Sequence, residues 1–192
     1  MSLHPPYPRP TLAQFAGAAF AMAVVVLASN ILVQFPINDW LTWGAFTYPV
    51  AFLVSDLANR RFGPGTARRV AWFGFAVAIA ASLLLAPVRI ALASGLAFIA
   101  SQLLDIRVFD RLRRGLWWRA PLVATLIAAV LDSAVFWSIA FAGTGGPWLS
   151  WAAGDLMVKL GVGVLMLLPF RLLIGRAAAT ASIDLSPNDQ TA

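Results

Sequence analysis

Four ionisable residues stand inside stretches that are otherwise apolar: Asp56, Asp132, Asp155 and Lys159. Asp155 and Lys159 are four apart, which stacks them on one face of a helix. Asp132 is the thirteenth of 23 residues in the uncharged run from Ala120 to Ala142, interrupted only by itself. Asn30 and Gln34 are again four apart, and Trp43, Phe46 and Tyr48 follow closely. Carboxylates accept from ring N–H and amino groups, Lys or a carboxamide donates to a ring carbonyl, and aromatic rings stack on a flat heterocycle whatever its substituents. Together these groups describe a pocket for a small, planar, polar molecule. Guanine-like compounds fit, and a flavin, a pterin or another vitamin fits the same spacing and depth.

Each group also has a plainer reading. Asp56 can pair with Arg60 at i+4, Asp155 and Lys159 can neutralise one another, the carboxamides can bond between helices, and Trp43 can anchor at a membrane interface. What the chain lacks narrows the chemistry further. It has no Cys and no Glu, and His4 is its one histidine. That removes thiolate and His-ligated metal sites, HExxH proteases and Ser-His proteases. No GxxxxGK[ST] loop is present, and Ser133 beside Asp132 has no evident base, so packing explains it better than nucleophilic catalysis. The residues point to binding, with no enzyme, cofactor or metal.

The elements that must hold these groups follow from composition. Of 192 residues, 60% are hydrophobic and 11% charged, against about 45–50% and about 25% in soluble domains. At roughly 20 apolar residues per crossing, six transmembrane helices fit, a compact all-α bundle. A proline-rich tail (1–11) precedes spans at about 12–35, 45–60, 69–86, 88–104, 120–142 and 151–174. The small-x-small triplet Ala21, Met22, Ala23 resembles a cleavage site, but the apolar run continues through Val33, so a permanent helix is expected. Residues 36–44 form an interfacial loop. Span two is the least apolar crossing, with Pro49 near its start and Asp56 and Asn59 near its end, so protein rather than lipid should surround it. The basic stretch from Asp105 to Arg119 has the makings of an interfacial helix. The polar residues 175–192 make a C-terminal tail expected to be disordered.

The formal charge of +6 needs no nucleic-acid partner. With both termini cytoplasmic, every basic residue except Arg89 and Lys159 falls on the inside, as the positive-inside bias requires. No internal repeat of the kind common in secondary transporters is evident. Gly154, Gly161 and Gly163 permit close helix contact, within one subunit or in a homo-oligomer.

The segments SNILVQFP (Ser29 to Pro36), TWGAFTYP (Thr42 to Pro49), SDLANRRFG (Ser55 to Gly63), QLLDIRVFDRLRR (Gln102 to Arg114), the Asp132–Ser133 pair and DLMVKLGVGVLMLLPF (Asp155 to Phe170) closely resemble the queuosine precursor transporter family, also called the vitamin uptake transporter family. The resemblance covers roughly residues 24 to 175. It implies a multi-pass, six-helix protein of the bacterial inner membrane that imports 7-cyano-7-deazaguanine or its aminomethyl relative for queuosine in transfer RNA. Asn30, Gln34, Trp43, Phe46, Asp56, Gln102, Asp105, Asp132, Asp155 and Lys159 stand where the family has the same types. Depth and charge select Asn30, Gln34, Trp43, Phe46, Asp132, Asp155 and Lys159 as the ligand set, with Tyr48, Asp56, Gln102 and Asp105 as secondary candidates. The link around Pro87 and Arg89 is shorter than in the members it most resembles. The family is similar in general form to the substrate-binding subunits of energy-coupling vitamin importers, which depend on a partner ATPase. That makes a capture subunit the alternative.

Overall fold

The computed structural model describes residues 7–32, 35–38, 41–85 and 87–184. Helix α1 (Leu12–Leu32) starts where Thr11 and Gln14 form a reciprocal cap. The Gln14 amide donates to Thr11 Oγ1 at 3.2 Å and the Thr11 amide to Gln14 Oε1 at 3.0 Å, satisfying backbone donors that the first turn leaves open. The stretch read as a loop contains a short antiparallel hairpin, β1 (Pro36–Asn38) with β2 (Leu41–Thr42).

The second crossing is broken rather than continuous. A single turn, α2 (Gly44–Thr47), stops at Tyr48, and α3 (Pro49–Phe62) begins anew with Pro at its first position, where a missing N–H costs nothing. Its 14 residues make about 21 Å of helix, short of the roughly 30 Å hydrocarbon core. Ala51, Phe52, Ser55, Asp56, Ala58 and Asn59 are all buried, so protein does surround it.

At Gly63 the chain takes φ +82° and turns into α4 (Pro64–Leu85). A Cβ on Gly63 would enter the ring of Tyr7, so the residue is glycine for both conformation and space. Tyr7 donates to Asp110 at 3.2 Å and lies under the Arg113 guanidinium at 4.4 Å. Burial holds its hydroxyl above the ordinary tyrosine range.

Helix α5 (Val88–Leu112) runs eight residues past the expected end at Leu104, so no separate interfacial helix forms at Asp105. The reason is an inward face that persists: Gln102, Asp105, Ile106 and Phe109 recur at helical spacing and are all buried. Helix α6 (Arg119–Phe141) follows, then α7 (Trp148–Leu165) and α8 (Leu167–Asp184), separated by one turn residue at Met166. Helix thus extends into the segment expected as a tail.

Among the described residues, five stretches are long and apolar enough to cross a membrane: Leu12–Ser29, Pro64–Leu85, Val88–Leu112, Arg119–Phe141 and Trp148–Gly175. α5 packs most extensively on α6 and next on α4, which also holds α1. The buried side chains are rich in alanine, with Phe52, Phe98, Phe109 and Phe170 filling between; small residues are what allow helices to approach when lipid offers no hydrophobic drive. Large apolar side chains such as Phe20, Leu84 and Leu168 point outward, the arrangement expected against lipid.

Candidate functional site

Lys159 on α7 is the hub of a buried polar cluster. Its Nζ donates to Asp132 Oδ2 at 2.8 Å, to Asp155 Oδ2 at 2.6 Å and to Ser133 Oγ at 3.3 Å. Asp155 is one turn back on the same helix, as the i, i+4 spacing predicts. Asp132 comes from α6, whose face also carries Ser133 and Trp137. Asp155 Oδ2 accepts from Ser133 Oγ at 2.9 Å and from Trp137 Nε1 at 3.2 Å. The other oxygen of Asp132 accepts from Tyr48 at 2.8 Å and from Ser101 at 3.2 Å.

The break between α2 and α3 is what positions Tyr48. Its hydroxyl reaches Asp132, its ring meets Phe52 and Phe98 edge-on at 6.0 and 6.2 Å, and Lys159 sits 5.1 Å above its centroid. Both carboxylates therefore share one ammonium. Lone pairs on buried carboxylates are costly unless hydrogen-bonded, and here hydroxyls and an indole complete the set. One acceptor is left over: Asp155 Oδ1 takes no donor among the described residues.

This cluster forms one wall of a cavity of about 300 Å³, at the lower end of the roughly 300–1,000 Å³ typical of small-molecule sites. Tyr48, Asp132, Asp155 and Lys159 supply the polar wall, and Phe136, Trp137 and Phe141 the aromatic one. Trp137 lies 5.4 Å from Phe136 and 5.0 Å from Phe141 between ring centroids. Ser29 and Ser94 add hydroxyls, and Leu85, Pro87 and Ile90 close the side toward the short α4–α5 link. The arrangement can hold a flat molecule against aromatic rings while its edge meets carboxylate and ammonium.

The sequence candidates divide. Asp132, Asp155, Lys159 and Tyr48 converge on the cavity. Trp43 and Phe46 do not line it; they are 54% and 40% exposed and pack on each other at 6.2 Å. Gln34 lies outside the described residues, as does the side chain of Asn30. Asp56, Gln102 and Asp105 are buried elsewhere, between α3 and α5. Asp56 does not pair with Arg60, whose guanidinium donates instead to the Arg113 carbonyl at 2.8 Å. Phe136, Trp137 and Phe141 escape a reading by type alone. Their i, i+1 and i+5 spacing around Asp132 was the available signal, since Asp132 and Phe136 share a helix face. Among the described residues no group of acidic or His side chains could hold a metal ion.

Comparison with known proteins follows the same residues. The family described as "Putative vitamin uptake transporter" matches over residues 42–88 and 82–174. The chain is 33% identical to the "Queuosine precursor transporter" of Escherichia coli (strain K12), covering 84% of this chain and 88% of that one. It is 31% identical to the "Probable queuosine precursor transporter" of Haemophilus influenzae over 79% and 82% of the two chains, and 27% identical to that of Bacillus subtilis over 78% and 74%. No solved structure matches the chain significantly.

Proposed function

We propose, from the premise that the chain belongs to the vitamin uptake transporter family and is a multi-pass transporter of the bacterial inner membrane rather than an enzyme, that it imports 7-deazaguanine precursors of queuosine, 7-cyano-7-deazaguanine or its 7-aminomethyl relative. Three relatives carry queuosine precursor transport in their names. The observation that carries the reading to this chain is the cavity wall itself: two carboxylates and one ammonium, with Asp155 Oδ1 taking no donor among the described residues, beside a row of aromatic rings. A deazaguanine presents a ring N–H and an exocyclic amine on one edge, beside a carbonyl. Asp155 and Asp132 would accept from the N–H groups and Lys159 would donate to the carbonyl. Stacking passes from Trp43 and Phe46 to Phe136 and Trp137, which border the cavity.

In this reading α2 and α3 complete a sixth crossing, and the end of the bundle bearing Arg60 and Arg113 faces the cytoplasm by the positive-inside bias. The cavity then lies toward the external half. Cells unable to make the precursor, supplied with it in labelled form, test the proposal. Wild-type protein restores label in transfer RNA, and Lys159→Ala and Asp132→Asn do not; full incorporation in both variants overturns the site. A capture subunit working with a separate ATPase is the second reading. Uptake by purified protein in liposomes without a partner excludes it.

A further inference from the structure

Asp56 on α3 and Asp105 on α5 are a second buried acidic pair, remote from the cavity wall. Asp56 is 2% exposed and Asp105 fully buried, and they face each other where Ser55 donates to Gln102 and Asn59 to the Ile106 carbonyl, tying α3 to α5 around the pair. Among the described residues, neither oxygen of Asp105, and not Oδ1 of Asp56, meets an N–H or O–H donor; Gln102 Nε2 and Asn59 Oδ1, both fully buried, are also without partners there. Among the described residues the groups facing the pair supply no counter-charge. From α6 the facing group is Thr125, and from α3 it is Ser55 and Asn59, all neutral. Arg60 and Arg113 are committed to backbone carbonyls and, for Arg113, to Asp110. Lys159 is held by Asp132 and Asp155, while Arg68, Arg69 and Arg107 are exposed. Two carboxylates buried together, with no cation facing them among the described residues, cannot both be ionised. The pair therefore carries at least one proton.

The pair is also wired to the cavity. Ser101 donates to Asp132, and its neighbour Gln102 accepts from Ser55, which precedes Asp56. Helix α3 bears Asp56 in its third turn and follows directly on Tyr48, which donates to Asp132. A change in the charge of the pair alters how α3 seats on α5, and that seat sets the position of Tyr48 against the cavity. We propose that Asp56 and Asp105 form a proton-binding site that couples substrate import to inward proton movement: a proton taken up from the external side binds one carboxylate, and the same proton leaves to the cytoplasm. This rests on the transport reading above and adds its driving force.

The test uses purified protein in liposomes with the membrane potential clamped and 7-cyano-7-deazaguanine as the probe. With acid outside, wild-type protein accumulates the probe about tenfold per unit of pH difference, for one proton per substrate. Asp56→Asn and Asp105→Asn lose this accumulation yet still exchange internal for external probe at equal pH. Accumulation that ignores the pH difference, or that survives in Asp105→Asn, overturns the proposal. If wild-type protein neither binds nor moves the probe, the substrate reading fails by itself. Infrared spectroscopy of the same samples then decides the proton site. A carboxyl C=O band that responds to a pH step and vanishes in both variants supports it, and its absence from wild type overturns it.

Discussion

Lys159 reaches from α7 to Asp132 on α6 at 2.8 Å while holding Asp155 of its own helix at 2.6 Å. One ammonium thus joins two helices and balances one of two negative charges. Removing it leaves two carboxylates buried together, and breaking a buried pair by deleting one partner costs about 3–5 kcal/mol. Lys159→Ala should therefore lower the thermal unfolding temperature in detergent as well as abolish uptake. The double change Lys159→Met with Asp132→Asn should recover most of the stability, because less charge is stranded, and none of the uptake.

Tyr48 contributes a hydroxyl to Asp132 and a ring to the core around Phe52 and Phe98. Tyr48→Phe keeps the ring and deletes the donor. A hydrogen bond to a charged group contributes about 1.5–3 kcal/mol, so uptake should fall roughly tenfold or more with the fold intact by circular dichroism. Tyr48→Ala should additionally unfold at lower temperature.

The aromatic wall separates two tryptophans that composition cannot. Base-on-aromatic stacking is worth about 1–3 kcal/mol, so Trp137→Leu should weaken substrate binding by roughly tenfold to a hundredfold. Trp43, outside the cavity lining and more than half exposed, should tolerate the same change with affinity kept within about twofold. Titration calorimetry on the two purified variants compares them directly.

Much of this was legible in the sequence, and the reasons differ by residue. Asp132, Asp155 and Lys159 announce themselves because charge inside an apolar run is expensive and must be met by a partner. Their mutual contact follows from helical spacing and depth. The end of α5 was not legible: Arg107, Arg111 and Arg113 mark a separate interfacial helix by composition, whereas Ile106 and Phe109 keep α5 going by burial. The aromatic wall was hidden for another reason. Trp43 and Trp137 are the same residue type, each near polar residues along the chain, and only the tertiary arrangement decides which borders the cavity. Asp56 looked like the partner of Arg60 because both sit on one helix face. Asp105, 49 positions away by numbering, is a tertiary neighbour that no local pattern reveals.

Close helix contact makes one prediction independent of function. A Cβ on Gly74 of α4 would overlap Met22 Cγ of α1 and lie 3.2 Å from the Phe98 ring of α5, with both neighbours buried. Overpacking of this kind costs about 1–3 kcal/mol. Gly74→Val should lower the unfolding temperature, while the same change at Gly17, whose Cβ would meet nothing within 4 Å, should have little effect.

The central claim is that the wall of Asp132, Asp155 and Lys159 recognises a deazaguanine edge, and direct binding tests it. Titration calorimetry of 7-cyano-7-deazaguanine into purified wild-type protein should show saturable binding at one site. Asp155→Asn, which keeps the side chain's size but turns an acceptor into a donor, should weaken it at least about tenfold, or 1.4 kcal/mol. No binding by the wild type, or equal affinity in the variant, would contradict the account.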